Sequence, residues 1–200
     1  MNSAIKKRMV FAGTQHIVHT IAPVYDSRSR VLILGTMPSP QSRLSAFYYG
    51  HKQNRFWAIL EAVFGETESS GRRGATPQNV PRETPAARRL AGSSAAVKKQ
   101  FLLNHRIALW DVLAECDITG ASDASIRNPV ANDFSVIFGA APVRAVLTTG
   151  KTAYTLYRTL CAATYPVPFF YLPSPSPANC AMSLERITGA YREFLPRLVS

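Results

Sequence analysis

Residues 31–34 read Val-Leu-Ile-Leu, an aliphatic run with no polar alternation, and it stops at Gly35 before a loop that holds Pro38 and Pro40. A half-exposed strand alternates apolar and polar residues, so this run suits a strand covered on both faces, as in a parallel sheet between helix layers. Gly35 lets the backbone approach a ligand closely, and the two prolines remove amide donors and stiffen the loop. In open α/β sheets ligands collect beyond the carboxyl ends of the strands. Gly-Thr-Met-Pro-Ser-Pro (35–40) is therefore where a pocket floor is expected.

The rest of the chain repeats the strand-then-helix pattern. Phe56, Ile59, Leu60 and Val63 recur at helical spacing and predict a helix over 55–64 that stops at Gly65. Residues 94–104 have helical character, and Ile-Ala-Leu-Trp-Asp-Val-Leu (107–113) reads as a second buried strand or a strand-to-helix junction, with Trp110 in the core. Residues 117–133 are polar and turn-rich and are expected to wall the pocket, with Asn132 or Asp133 capping a helix over 134–138. A third strand over 145–149 ends at Gly150-Lys151, a helix follows over 152–163, a fourth strand over 167–172 leads into Pro-Ser-Pro-Ser-Pro, and an amphipathic helix over 184–198 closes the chain. Such alternation predicts a three-layer α/β/α sandwich around a mainly parallel sheet of about four strands. Residues 1–22 are expected to form a loosely held arm, and 23–200 one domain with a flexible insert near 66–97, where Gly, Ser, Thr, Pro and Arg dominate.

The bulk properties narrow the partners. Two hundred residues suit one domain, and 46% hydrophobic content supports a packed core. Twenty-three Lys and Arg against 12 Asp and Glu give a formal charge of +11, which favours an anionic partner and salt-sensitive binding. No apolar stretch approaches the ~20 residues needed to span a bilayer, and the basic N-terminal start lacks a signal-peptide core. We therefore expect a soluble, cytoplasmic, nucleoid-associated protein. Cys116, Cys161 and Cys180 are widely spaced with no Cys-x-x-Cys pair, and His16 and His19 lack a further ligand nearby and read as surface residues, so no metal site is expected.

After the first loop, Phe47, Tyr48 and Tyr49 bring three rings together, and His51, Lys52, Asn54 and Arg55 add polar and cationic groups before Phe56 and Trp57. Rings beside amide and cationic donors fit a nucleobase pocket flanked by phosphate contacts, because a base offers two π-faces and a hydrogen-bonding edge. Ordinary core packing accounts for the same rings equally well.

With these residues in place, the sequence resembles the uracil-DNA glycosylase superfamily. GTMPS (35–39) and YYGHKQNRFW (48–57) are similar, in content and spacing, to that superfamily's first motif and the aromatic-to-Trp segment after it. LPSPSPAN (172–179) is similar to its second motif, and with ALWDVL (108–113) the set is closest to the hypoxanthine-DNA glycosylase branch. The resemblance runs from about Pro23 to the C-terminus, apart from the insert.

That resemblance implies the α/β/α fold, no metal or cofactor, a monomer acting on DNA with deaminated bases, and hydrolysis of the base–sugar bond. It implies Asn54 as the catalytic residue, although an Asn there also suits a helix N-cap. Tyr49 falls where the mismatch-specific branch stacks an aromatic on the flipped base. Gly35, Thr36, Met37 and Phe47 complete the expected base pocket. Ser39, His51, Lys151, Ser174, Pro175, Ser176, Pro177 and Asn179 are the expected DNA contacts, with Pro175 to Pro177 as a stiff wedge at the minor groove. At two places the superfamily's usual polar residue is replaced, by Met37 and by Leu172, and neither side chain can orient water. The hypoxanthine branch has the same departures. Two other readings stay open: a catalytically silent relative that binds damaged DNA, and a hydrolase of phosphorylated small molecules using the Gly-Thr loop and Lys151. The second lacks paired carboxylates beside that loop to hold magnesium. Within the family, a uracil- or mismatch-specific glycosylase is the alternative to hypoxanthine.

Overall fold

The computed structural model describes residues 13–70 and 90–200, with 66–70 as backbone alone. In chain order these form β1 (Thr14–Val18), β2 (Val31–Gly35), α1 (Pro40–Ser45), α2 (Phe56–Ser70), α3 (Ala95–Asn104), β3 (Ile107–Asp111), β4 (Leu113–Thr119), β5 (Arg127–Ala131), α4 (Ser135–Phe138), β6 (Ala145–Thr149), α5 (Lys151–Leu160), β7 (Phe169–Leu172) and α6 (Leu184–Val199).

A four-stranded parallel sheet in the order β3–β2–β6–β7 forms the middle layer. All of β2 is buried, and its two faces feed different cores. Val31 and Ile33 pack with Phe56, Ile59, Leu60 and Val63 of α2 and with Ile187, Tyr191 and Leu195 of α6. Leu32 and Leu34 pack with Ile137 of α4 and with Ala153 and Tyr157 of α5. Two covered faces explain the missing alternation, since every second side chain still has an apolar layer to enter.

The sequence did not reveal the second sheet. β1, β4 and β5 pair antiparallel in the order β1–β4–β5, and β3 reaches β4 through Val112 alone. From residue 14, then, the expected N-terminal arm is part of the folded sheet. β1 is largely exposed, so main-chain pairing holds it and leaves no apolar pattern to read. Helix α2 runs through Gly65, the expected stop, to Ser70. Nothing lies within 4 Å of a Cβ built on Gly65, and one exposed Gly weakens a helix by only about 1 kcal/mol. At the other end of the expected insert, residues from Leu90 onward form a 3-10 turn and the start of α3. The Arg-rich part (71–89) and the basic start of the chain lie outside the described residues. Asp133 accepts the Ser135 amide at the start of α4, whereas Asn132 donates to the carbonyls of Asp111 and Leu113.

Candidate active site

Beyond the carboxyl ends of β2, β6 and β7 lies a cavity of about 430 Å³, within the usual range for a small-ligand site, roughly 300–1,000 Å³. The loop after β2, the loop after β7, the start of α5 and the turn at 120–123 form its walls.

Tyr49 and Asn54 both line it. Tyr49 has a positive φ of 52°, its ring stacks on Phe56 with centroids 3.8 Å apart, and its hydroxyl lies 2.9 Å from Thr149 Oγ1. Burial, with the nearby Asp111 charge, pushes the Tyr49 phenol well above its ordinary pKa, so the ring stays neutral. Asn54 Oδ1 accepts the Phe56 amide at 2.9 Å, which secures the first turn of α2. Its Nδ2 has no hydrogen-bond partner among the described residues. The two expectations for Asn54 thus meet in one side chain: one end caps the helix, and the other is a free donor at the cavity wall.

Of the other expected base-pocket residues, Gly35, Thr36 and Met37 line the cavity and Phe47 does not. Phe47 stacks on Trp57 and contacts Tyr48 edge-on, so it belongs to the core. Ser39, Lys151, Ser174, Pro175, Ser176 and Asn179 line the cavity, while His51 and Pro177 are exposed outside its lining. Leu172 is fully buried core, so the missing polar group there leaves no gap in the cavity wall.

Arg55, Thr36 and Ser39 hold the loops in shape, a part that their places in the sequence did not indicate. Arg55 donates to the carbonyls of Pro175, Ser176, Asn179 and Met182 at 3.4, 2.9, 2.8 and 2.7 Å, and its amide donates to Pro175 at 3.0 Å. On the opposite wall, Thr36 Oγ1 donates to Asp123 Oδ2 at 2.7 Å, and Ser39 caps α1 through the Ser42 amide. Val112 and Leu113 amides take the carbonyls of Gly35 and Thr36, while the amides of Met37 and Ser39 donate to nothing among the described residues. These N–H groups are free donors of the loop.

Two carboxylates also line the cavity. Asp123 sits on an exposed turn with its carboxylate turned onto Thr36. Burial of that carboxylate, opposed by the Thr36 bond and aided by the Asp111 charge, raises its pKa above the ordinary carboxylate value. Asp111 ends β3 and is 4% exposed. Its Oδ2 lies 2.9 Å from Nε2 of His19, expected at the surface, whose side chain is only 1% exposed. The available signal was a charged residue closing an apolar run, Ile-Ala-Leu-Trp-Asp, at the ligand edge of a sheet. No cluster of three or more His, Cys, Asp or Glu able to hold a metal occurs among the described residues.

The family model described as the uracil DNA glycosylase superfamily matches residues 22–196, nearly the whole chain. The chain belongs to that superfamily. It is 31% identical over 130 residues to a hypoxanthine DNA glycosylase of Methanosarcina barkeri, covering 64% of this chain and 68% of the relative. It is 29% identical over 164 residues to a hypoxanthine DNA glycosylase of Methanosarcina acetivorans, covering 82% of this chain and 89% of the relative. The solution NMR structure of a proposed uracil DNA glycosylase from M. acetivorans superposes with a TM-score of 0.66 at 25% identity, over 90% of this chain and 98% of that one. The parallel sheet flanked by helices is the superfamily's α/β/α sandwich. No helix among the described residues is long and apolar enough to cross a membrane.

Proposed function

We propose that this protein is a monofunctional DNA glycosylase that takes a deaminated base, hypoxanthine of deoxyinosine above all, into the cavity and hydrolyses its N-glycosidic bond. One observation carries the reading: the ring of Tyr49, the free amide of Asn54 and the Ser-Pro loop after β7 line one cavity of about 430 Å³. An everted purine needs those parts together, namely a face to stack on, a donor for its departing charge and a stiff loop beside the vacated stack.

Water attacks C1′ of the sugar as the C1′–N9 bond breaks and its electron pair leaves on the purine. The purine takes up a proton from solvent, and the attacking water gives one back. Asn54 supplies its Nδ2–H to the leaving base. Because the Phe56 amide holds Oδ1, the donor is fixed in place before substrate arrives, the condition under which a hydrogen bond stabilises a transition state most. The unpartnered amides of Met37 and Ser39 are further donors for a purine oxygen. Lys151 and Arg43 give the rim positive charge for the phosphates.

Met37 favours a second reading, a relative that binds damaged DNA without excising the base, because a thioether cannot orient water. Incubating the protein with duplexes carrying deoxyinosine, uracil or xanthine, then cleaving abasic sites with alkali, separates these readings. Strand breaks at deoxyinosine are expected. Binding without breaks means the silent reading is right, and breaks mainly at uracil mean the base assignment is wrong.

A further inference from the structure

Met37 gives the loop after β2 a side chain that cannot handle water, yet a carboxylate reaches the residue beside it from across the cavity. It belongs to Asp123. The turn that carries it, beyond β4, is tied by Ser125, whose hydroxyl meets the Ser122 carbonyl at 2.7 Å and accepts the Thr119 amide at 2.9 Å. From this fixed turn Asp123 Oδ2 accepts the Thr36 hydroxyl at 2.7 Å, and Oδ1 hydrogen-bonds to nothing among the described residues. One oxygen is anchored and the other is open to the cavity that the residue lines.

The two cavity carboxylates sit at different depths. Asp111 is 4% exposed at the end of β3, whereas Asp123 hangs from an exposed turn at the rim. A base stacked on Tyr49 stays tethered to its sugar, so the sugar carbon remains near the rim while the base goes deeper. Resting on the glycosylase reading, we propose that Asp123 is a further catalytic residue, whose free Oδ1 orients the attacking water and takes its proton. As the water oxygen bonds to C1′, the C1′–N9 bond breaks and its electron pair leaves on the purine. One water proton passes to Oδ1 and then to solvent, and the purine takes its own from solvent. The ionised carboxylate also favours the positive charge that grows on the sugar in this step. Met37 is then compatible with excision, because the group that handles water comes from a different loop. Burial raises the Asp123 pKa, opposed by the Thr36 bond and aided by the Asp111 charge, which makes it a stronger base than an ordinary carboxylate. Besides Asp111 of β3, the ionisable groups that interact with it are the Tyr49 phenol and the Cys116 thiol of β4, both held neutral by burial.

The test is the pH dependence of single-turnover excision from a deoxyinosine duplex. The carboxylate works only when ionised, so the wild-type rate should fall as pH drops through the folded-state pKa of Asp123. Asp123→Asn keeps an acceptor for Thr36 but loses the base. Its rate at neutral pH is expected to be lower by ~100-fold or more, with the acid limb gone. Thr36→Val keeps the carboxylate but removes the bond that lowers its pKa, so its acid limb should move to higher pH. Its rate at neutral pH should fall less than that of Asp123→Asn. A wild-type rate in Asp123→Asn, an acid limb that survives in it, or equal losses in the two variants, as a merely structural Thr36–Asp123 bond would give, overturns the proposal. If Asp123→Asn fails to fold, Thr36→Val decides alone, and an unmoved limb overturns the proposal. A wild-type protein that leaves no abasic site on any damaged duplex removes the glycosylase reading itself, whereas excision with an unmoved limb removes only the role of Asp123.

Discussion

The loop after β2 and the loop after β7 line the same cavity and share a Pro-Ser character, but they are held in opposite ways. The first is fixed by several separate contacts: the Ser39 cap on α1, Thr36 on Asp123, Arg43 on the Pro38 carbonyl, and the amides of Val112 and Leu113. Its free groups are amide donors. The second is gripped largely by one side chain, Arg55, assisted by Asn179 on the Ser174 carbonyl and Tyr191 on the Pro173 carbonyl. Each carbonyl from 173 to 176 is thus satisfied from within the protein. The difference suits what each loop meets. On the proposed reading, the loop that takes the base keeps donors free, and the loop that approaches the polyanion turns its carbonyl oxygens away from it.

The contrast fails if Arg55 can be lost cheaply. Arg55→Ala removes charge-assisted bonds worth ~1.5–3 kcal/mol each, which do not add fully, so a stability loss of about 3 kcal/mol is expected. Thermal denaturation should show a Tm drop of roughly 6–12 °C at this chain length. A drop no greater than that of a single cap variant on the other loop would show that the second loop is held diffusely as well.

Asn54→Asp sharpens the comparison where the two walls meet. Asp caps a helix as well as Asn does, so the midpoint of unfolding should hardly move. The Nδ2 donor is gone, and excision of deoxyinosine should fall by ~100-fold or more, the usual effect of losing one transition-state donor. Retained activity would reduce Asn54 to a cap. Ser39→Ala is next in size, about 1 kcal/mol for a lost N-cap, read as a Tm shift of roughly 2–4 °C. On a wall of many separate contacts no single loss should do more.

The smallest stability shift concerns Asp123. Its folded-state pKa lies above the ordinary 3.8, so its contribution to stability is full below that value and is lost as pH rises through the folded pKa. Relative to the wild-type protein, Asp123→Asn should therefore gain Tm as pH rises above about 4 and stop gaining once pH has passed the folded-state pKa. A gain that shrinks over that window would mean the Thr36 bond outweighs burial.

The sequence by itself determined the layers and the chemistry-bearing loops. An unalternating run such as Val31–Leu34 has few ways to bury both faces, and Gly and Pro after it restrict the backbone whatever surrounds them. Those are local constraints, so Tyr49, Asn54 and Ser174 could be gathered into one candidate site from spacing and resemblance. Only the tertiary structure decided which ring enters the cavity, since Phe47 and Tyr49 are two positions apart and differ only in what packs against them. The same holds for His19 behind Asp111, 92 residues away, and for Arg55 under a loop more than a hundred residues later. Such pairings depend on strand order and crossovers, and a partner that distant leaves no periodic trace in the chain.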